Sequence, residues 1–282
     1  MTAPARHARR VVLGTLAVSL AALATPALPT AQAVVSAGPQ FTAATLNLGD
    51  ASDADLAGNI ATLARDRGVT ILGLQEAGDR ADLLTKVRDR AGMASWRWCR
   101  PDDPGAPSVP IMFDSDVWSY ETSCGGFLAV ESRYLGPGGA GPDESKPKFV
   151  TAFVLHHRAS GRNVRVLNTH FIPSARRNDL SDAEKQRRVQ HVKDHVAALV
   201  DRIGRPTTHP MPVVLMGDLN GPASWPLLQP LKDIDMVGWS TEPTHDNGES
   251  LDHVVRRNLA HVSRAYVGTA SDHKAVVNRL EF

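Results

Sequence analysis

Four consecutive apolar residues, Val213-Val214-Leu215-Met216, break off into Gly217-Asp218-Leu219-Asn220-Gly221. So short and so apolar a run reads as a buried strand, and its polar end delivers a carboxylate and an amide to the rim of a sheet. Asp218 and Asn220 lie two apart, so on an extended backbone they share a face. Asp, Asn and Gly are equally the residues of turns. The segment alone leaves a plain turn and a functional pair both open.

The same pattern recurs along the chain. Phe41 to Leu48 reads as a strand carrying Asn47 at its end, and Val69 to Leu74 runs into Gln75-Glu76. Asn163 to Phe171 ends Leu167-Asn168-Thr169-His170, Asp252 lies in a strand from Ser250 to Val255, and Ser271-Asp272-His273 precedes a last strand, Ala275 to Phe282. Burying an unpaired carboxylate costs several kcal/mol, so isolated ones in such places are disfavoured. If these strand ends meet at one edge, the carboxylates repel unless a cation sits among them. Oxygen and amide ligands without cysteine suit a hard ion, Mg²⁺ or Mn²⁺. With histidine and asparagine donors beside it, such an ion makes a phosphoryl-transfer site. The chain has no G-x-S-x-G or Walker sequence that would point to another chemistry.

Between these strands, Ser52 or Asp53 caps a helix carrying Leu56, Ile60 and Leu63, stopped near Gly68. A second helix is predicted from Arg80 to Arg90, ending at Gly92. A long one follows Ser181 and Glu184, which stand at capping-box spacing. Its apolar stripe is Val189, Val192, Val196, Leu199, Val200 and Ile203. Short β-like runs fall at Val109–Phe113, Val117–Thr122, Phe127–Ser132 and Phe149–His157, and another at His261–Val267. The Pro-rich patch from Pro101 to Pro110 and the stretch from Gly136 to Pro142 read as loops. Helices alternate with strands while the middle is hairpin-like, which predicts an α/β (α+β) sandwich of mixed sheets with flanking helices.

The first residues stand apart. Arg6, Arg9 and Arg10 precede an apolar run from Val11 to Ala24, then Pro26, Pro29 and Ala31-Gln32-Ala33. This is the pattern of a secretory signal peptide cleaved after Ala33, with Arg9-Arg10 hinting at twin-arginine export. The run is short for a transmembrane helix and no later segment is suited to one. Removing it takes three Arg and no acid, so the net charge falls from +1 to 1 − 3 = −2. A near-neutral protein has no whole-molecule attraction to nucleic acid or anionic lipid, so polyanion binding would need a local patch. About 250 residues then remain, 34–282, enough for one large domain. In an exported protein Cys99 and Cys124 are expected to form one disulfide, closing a loop of about 25 residues for roughly 3 kcal/mol.

Other features take ordinary readings. His191 and His195 lie four apart as in zinc-protease helices, but Val192 stands where the glutamate should be; they flank the apolar stripe. His156-His157 sits in a strand. Arg176, Arg177, Lys185, Arg187 and Arg188 read first as a solvated helix face, and second as a local holder for a polyanion or lipid headgroup.

Taken together, the motifs resemble the endonuclease/exonuclease/phosphatase superfamily, the DNase I-like metal-dependent phosphohydrolases. The resembling residues are Thr45-Leu46-Asn47, Leu74-Gln75-Glu76, Asn168-Thr169-His170, Gly217-Asp218-Leu219-Asn220, Leu251-Asp252-His253 and Ser271-Asp272-His273, in the family's order. The resemblance implies a four-layered α/β/β/α sandwich with the site at one end of two packed sheets. It implies Glu76 as principal ligand of Mg²⁺ or Mn²⁺, assisted by Asn47 and Asp272. Asp218 and Asn220 match the pair that contacts the attacking water and the phosphate. His273 matches the catalytic histidine, Asp252 the carboxylate that orients it, and His170 a second histidine that donates to phosphoryl oxygens. Either His273 with Asp252, or Asp218, would activate the water.

In the abasic-site branch the position of His170 is typically not histidine. Gln75-Glu76-Ala77-Gly78 and the tail through His273 are similar to the catalytic subunit of cytolethal distending toxin. The resemblance therefore favours a DNase I-like nuclease acting on DNA, secreted as the first residues predict; no obligate protein partner is evident in the sequence. The rival is a sphingomyelinase or phospholipase C acting on a phospholipid headgroup, or a phosphoinositide phosphatase. Trp96-Arg97-Trp98 and Ser224-Trp225-Pro226 are its candidate membrane loops. An inactive binding module is disfavoured because every motif keeps its reactive residue.

Overall fold

The computed structural model describes residues 38–282 apart from 79, 81, 100–107, 121–127, 131–147, 174, 177–179 and 205–210. In chain order the strands are β1 (Gln40–Asn47), β2 (Ile71–Gln75), β3 (Trp96–Cys99), β4 (Ile111–Asp114), β5 (Trp118–Tyr120), β6 (Leu128–Val130), β7 (Lys148–His157), β8 (Arg162–His170), β9 (Val213–Asp218), β10 (Asp252–Arg257), β11 (Ala260–Val267) and β12 (Ala275–Glu281). The helices are α1 (Asp53–Arg67), α2 (Leu83–Arg88), α3 (Asp182–Ile203) and α4 (Gln229–Lys232).

These strands form two sheets, ordered β11-β12-β1-β2-β4-β3 and β10-β9-β8-β7-β5, with β6 also paired to β7. Within each, one parallel pair is crossed by a helix: β1-α1-β2 in the first sheet and β8-α3-β9 in the second. The side-chain alternation of the strands makes the layers. In β9, Val214 and Met216 pack between the sheets with Phe41, Ile71 and Val276, while Val213 and Leu215 face the α3 side. In β1, Ala44 and Leu46 face the opposite way, onto Leu56, Ile60 and Leu63 of α1. The order is α/β/β/α, as the resemblance implied.

Local chemistry sets the boundaries. Ser52 caps α1 by accepting from the Asp55 N–H, and Gly68 closes it in a left-handed conformation. Ser181 caps α3 by accepting from the Glu184 N–H; the Glu184 carboxylate turns forward to Arg188. The apolar stripe of α3 is buried at Val192, Val196, Leu199 and Ile203, and it includes His195.

Several expectations are corrected. The helix predicted over 80–90 is only six residues, α2, because it starts late behind the turn that follows Glu76. Ser224-Trp225-Pro226, a candidate membrane loop, leads into a 3-10 turn at Pro226–Leu228 and then α4, since proline is tolerated in a helix's first turn. Trp96-Arg97-Trp98 is an edge strand with Trp96 buried, so its first ring is core rather than membrane loop. Arg188 is not on a solvated face; it is buried, donating to Pro173 O at 2.9 Å and Glu184 Oε1 at 2.8 Å. No helix among the described residues is long and apolar enough to cross a membrane. Cys99 is buried at the end of β3, while Cys124, Arg177 and residues 1–33 lie outside the described residues.

One contact fixes the spacing of the sheets beneath their polar end. Asn168 of β8 reaches across to the first sheet, accepting from Gln75 Nε2 at 2.5 Å and donating to Leu74 O at 2.6 Å and Pro110 O at 2.9 Å. Gly73 makes room for it: a Cβ there would lie 2.7 Å from Asn168 Oδ1 and 2.9 Å from Met216 Cβ. Gln75 and Asn168, polar and fully buried, are thereby satisfied, Gln75 with the Thr45 hydroxyl as its second partner.

Candidate active site

The parallel pairs β1/β2 and β8/β9 end at the same edge of the sandwich, where such sheets place ligands. In the second sheet His170 and Asp218 are register partners, and so are Asp218 and Asp252. Three neighbouring strands therefore present His170, Asp218 and Asp252 in a row. From the first sheet come Asn47 at the end of β1, Glu76 just past β2, and Asp272 and His273 just before β12.

Asn47 joins the two halves. It is fully buried, and its Nδ2 donates to Glu76 Oε1 and Asp218 Oδ2, both at 3.0 Å. Its Oδ1 accepts from the Gly49 N–H at 3.1 Å. Glu76 is not a buried carboxylate. Its backbone is left-handed (φ 57°) and its side chain is 45% exposed, so the turn swings it out of the strand to the mouth. His170 Nε2 stands 3.6 Å from Asp218 Oδ2 and 3.9 Å from Glu76 Oε1.

Asp218 is where the two readings of the opening motif meet. Its Oδ1 accepts from the Asn220 N–H at 2.8 Å, a turn closed by its own side chain. Asn220 is therefore past the strand, in a left-handed conformation (φ 48°), and the shared-face argument does not apply to it. Its Nδ2 instead donates to Phe171 O at 3.1 Å, tying the loop after β8 to the loop after β9. The segment is a turn that also brings the Asp218 carboxylate among Asn47, His170 and His273.

Buried Asp252 accepts from His273 Nδ1 at 2.8 Å, and His273 Nε2 points toward Asp218 Oδ2 at 3.9 Å. The other oxygen of Asp252, Oδ1, is buried without a hydrogen-bond partner. Burial works against a charged His273, but the Asp252 hydrogen bond and the charges of Asp252, Asp218 and Asp272 outweigh it, raising its pKa from 6.5 to about 9. Burial and then Asp252 push Asp218 up from 3.8 to about 7, against the opposing pull of His273, Asn220 and Asn47. The shifts are linked: as Asp218 takes a proton its support of His273 falls away, leaving Asp252 as the main anchor. His170 is driven well below 6.5, first by burial and then by Lys148, His273 and His195, and so is neutral.

Asp272 lies at the rim with its side chain 52% exposed. Between it and Asn47 is Gly49, left-handed at φ 49°, where a Cβ would lie 2.7 Å from Asp272 Oδ1. Glu76, held by the Asn47 Nδ2, and Asp272, beside the Gly49 whose N–H Asn47 Oδ1 accepts, thus bring two carboxylates to the mouth on either side of Asn47. Hard, oxygen-only donors of this kind fit Mg²⁺ or Mn²⁺. Two tighter groupings of three potential ligands also occur among the described residues, Asp218/Asp252/His273 and His245/Asp272/His273. The first is a hydrogen-bonded proton relay, with His273 Nδ1 already engaged.

Some named residues are structural. His195 packs on Phe171 at 4.4 Å between centroids and donates from Nε2 to Thr169 Oγ1 at 2.7 Å, while that hydroxyl donates to Phe149 O. His253 accepts from the Ser240 N–H and donates to Gly221 O. Arg176 is paired with Glu249 at 2.8 Å. Trp225 lies against Gly221, where a Cβ would meet its ring at 2.1 Å. The sequence reading passed over His245 and Thr244. Their signal was Asp246-Asn247-Gly248, a turn that returns the chain to the start of β10, where Thr244 Oγ1 accepts from the Leu251 and Asp252 N–H groups.

No family model matches the chain, and no curated protein sequence matches it. Solved structures do. An endonuclease/exonuclease/phosphatase from Bacteroides vulgatus is similar over 86% of this chain and 99% of its own, with TM-score 0.58 and 16% identity. A mannosyl-6-phosphatase of Bacteroides thetaiotaomicron covers 86% and 100%, with TM-score 0.58 and 16% identity. D. rerio TDP2 complexed with a single-strand DNA product covers 86% and 99%, with TM-score 0.61 and 13% identity. The chain has the fold of these endonuclease/exonuclease/phosphatase structures.

Proposed function

We propose that the protein is an exported, divalent-cation-dependent phosphoric ester hydrolase, and within that class a DNase I-like endonuclease. The observation that carries the reading is the convergence of Asn47, Glu76 and His273 from one sheet with His170, Asp218 and Asp252 from the other. Glu76, Asp272 and Asn47 would hold Mg²⁺ or Mn²⁺, which when bound draws charge from a phosphoryl oxygen.

The remaining residues divide the proton work. Asp218, poised near pH 7 by burial and by Asp252, takes the proton of the attacking water at Oδ2. His273, kept protonated by Asp252, offers Nε2–H to the phosphoryl group and stabilises developing negative charge. Neutral His170 adds a second imidazole contact. Asn220 holds the Asp218 carboxylate through its backbone N–H. This division favours Asp218 as base.

DNA is favoured over a lipid headgroup because both tryptophan segments suggested as membrane loops are engaged in packing, Trp96 in the core and Trp225 on Gly221. The solved neighbour with a bound single-strand DNA product supports the same choice. The test is a comparison of plasmid DNA and sphingomyelin vesicles as substrates, with Mg²⁺ or with EDTA, for the parent protein and for Glu76→Ala and His273→Ala. Nicking that requires Mg²⁺ and is lost in both variants is expected; headgroup release without nicking, or nicking indifferent to EDTA, overturns the proposal. Export is tested by intact mass of the secreted protein, expected to begin at Val34 and to carry a Cys99–Cys124 disulfide.

A further inference from the structure

The turn after Thr244 brings a third imidazole to the rim of the site. Asp246 N–H donates to Asp272 O at 3.0 Å and Lys274 N–H to Thr244 O at 2.7 Å, so the backbones of residues 244–246 and 272–274 pair. That pairing sets His245 opposite His273, and their rings meet edge to face at 4.5 Å between centroids. The Asn247 backbone N–H donates to His245 Nδ1 at 3.0 Å. Nδ1 is therefore an acceptor, and the ring proton is on Nε2. Nε2 faces Asp272 Oδ2 at 3.3 Å.

This tautomer decides what His245 does. With Nδ1 occupied by the Asn247 N–H and Nε2 carrying a proton, neither nitrogen is left to ligate a cation. His245 turns its Nε2–H edge toward Asp272 Oδ2 at 3.3 Å, off the line of a full hydrogen bond. The carboxylate it faces is half-exposed and leans over the space that Gly49 leaves open. Ser271 Oγ donates to its other oxygen, Oδ1, at 3.1 Å. Ser271 Oγ holds one oxygen by a hydrogen bond and the Nε2–H edge of His245 lies against the other, which together restrict the rim carboxylate.

We infer that His245 is a positioning residue, which orients Asp272 for a divalent cation through its Nε2–H. The inference rests on the cation site proposed above. Partners that orient metal-ligating carboxylates change affinity by about 10–100-fold, and a 3.3 Å contact at a half-exposed position belongs at the lower end, about tenfold.

The test reads cation binding without turnover, by electron paramagnetic resonance titration of Mn²⁺ into the metal-free protein. His245→Phe keeps a ring against His273 and removes the donor; His245→Gln keeps an N–H and removes the ring. Each is made alone and with Asp272→Asn, with thermal unfolding followed alongside and His245→Leu used should Phe lower the Tm. The Phe variant is expected to weaken Mn²⁺ binding about tenfold and the Gln variant far less, with neither having an effect once Asp272 is Asn. Parental affinity in the Phe variant, equal weakening by Gln, or the same weakening in the Asp272→Asn background each overturns the role of His245. A parent protein that binds no Mn²⁺ overturns the cation site itself.

Discussion

Asp252→Asn tests the proton relay at its anchor. Asp252 Oδ2 and His273 Nδ1 are 2.8 Å apart and both side chains are buried. Burial alone drives an imidazole toward neutrality, yet the Asp252 hydrogen bond and the surrounding carboxylates raise His273 from 6.5 to about 9. The rise from 6.5 to about 9 corresponds to about 3 kcal/mol in favour of the imidazolium. The isosteric amide keeps the shape and removes both the charge and the charge-assisted bond, while the burial stays. His273 is then expected to titrate well below 9, read from imidazole ¹⁵N shifts of the metal-free protein between about pH 5 and about pH 10. Because the folded pKa is raised, the stabilisation it brings is full below 6.5 and is lost as pH rises through about 9. Denaturant melts of the variant should lack that alkaline loss. Asp218 should fall from about 7 at the same time, since part of its rise comes from Asp252. A His273 midpoint that stays near 9 in the variant refutes Asp252 as the anchor.

Acid should loosen the fold through two histidines that have no part in the chemistry. Burial lowers His195 to about 3 and His253 to about 4, so both are neutral when folded but bind protons when unfolded below 6.5. Their contribution is therefore present above 6.5 and lost as pH falls toward those values. Urea unfolding at pH 5 should give about 2 kcal/mol less stability per histidine than at pH 7.5, and His195→Gln should remove its share of that slope. Asn168→Ala should cost about 3 kcal/mol or more in denaturant unfolding at pH 7.5, because Gln75, Leu74 O and Pro110 O all lose a buried partner. Gly73→Ala, which drives a methyl into Asn168 Oδ1 and Met216, should destabilise comparably. Asn47→Ala should leave the Glu76 and Asp218 carboxylates without their shared donor and weaken Mn²⁺ binding in isothermal titration.

The layers were legible in the sequence because the strands are either wholly apolar, as in β9, or flanked by capped helices such as α1. The site was legible because polar residues interrupt those runs at their ends: Glu76 after Leu74, His170 after Leu167, Asp218 after Met216. What stayed hidden was decided by long-range contact or by backbone hand. Nothing local says that Asn168 bonds Gln75 across 93 positions. Left-handed conformations at Glu76 and Asn220 cannot be read from the periodicity of a strand, yet they expose one side chain and turn the other away from its partner. Arg188 looked solvated because its burial depends on Pro173 O, a carbonyl in a loop. His245 was passed over because its importance comes from the backbone pairing of residues 244–246 with 272–274.

The bond from Asn168 to the first sheet has a consequence for how the candidate site is assembled. Asn47 and Glu76 are carried by one sheet, and His170, Asp218 and Asp252 by the other. Each sheet can complete its own hydrogen-bond ladders without the other, but neither presents a usable constellation alone. The candidate site is complete only when the two halves dock, at the spacing set by an amide in the hollow left by Gly73. During refolding, far-UV signals of strand and helix should therefore recover ahead of cation binding, and the lag between them is a clock for the docking step. A site divided in this way is silent in every partly assembled form of the chain.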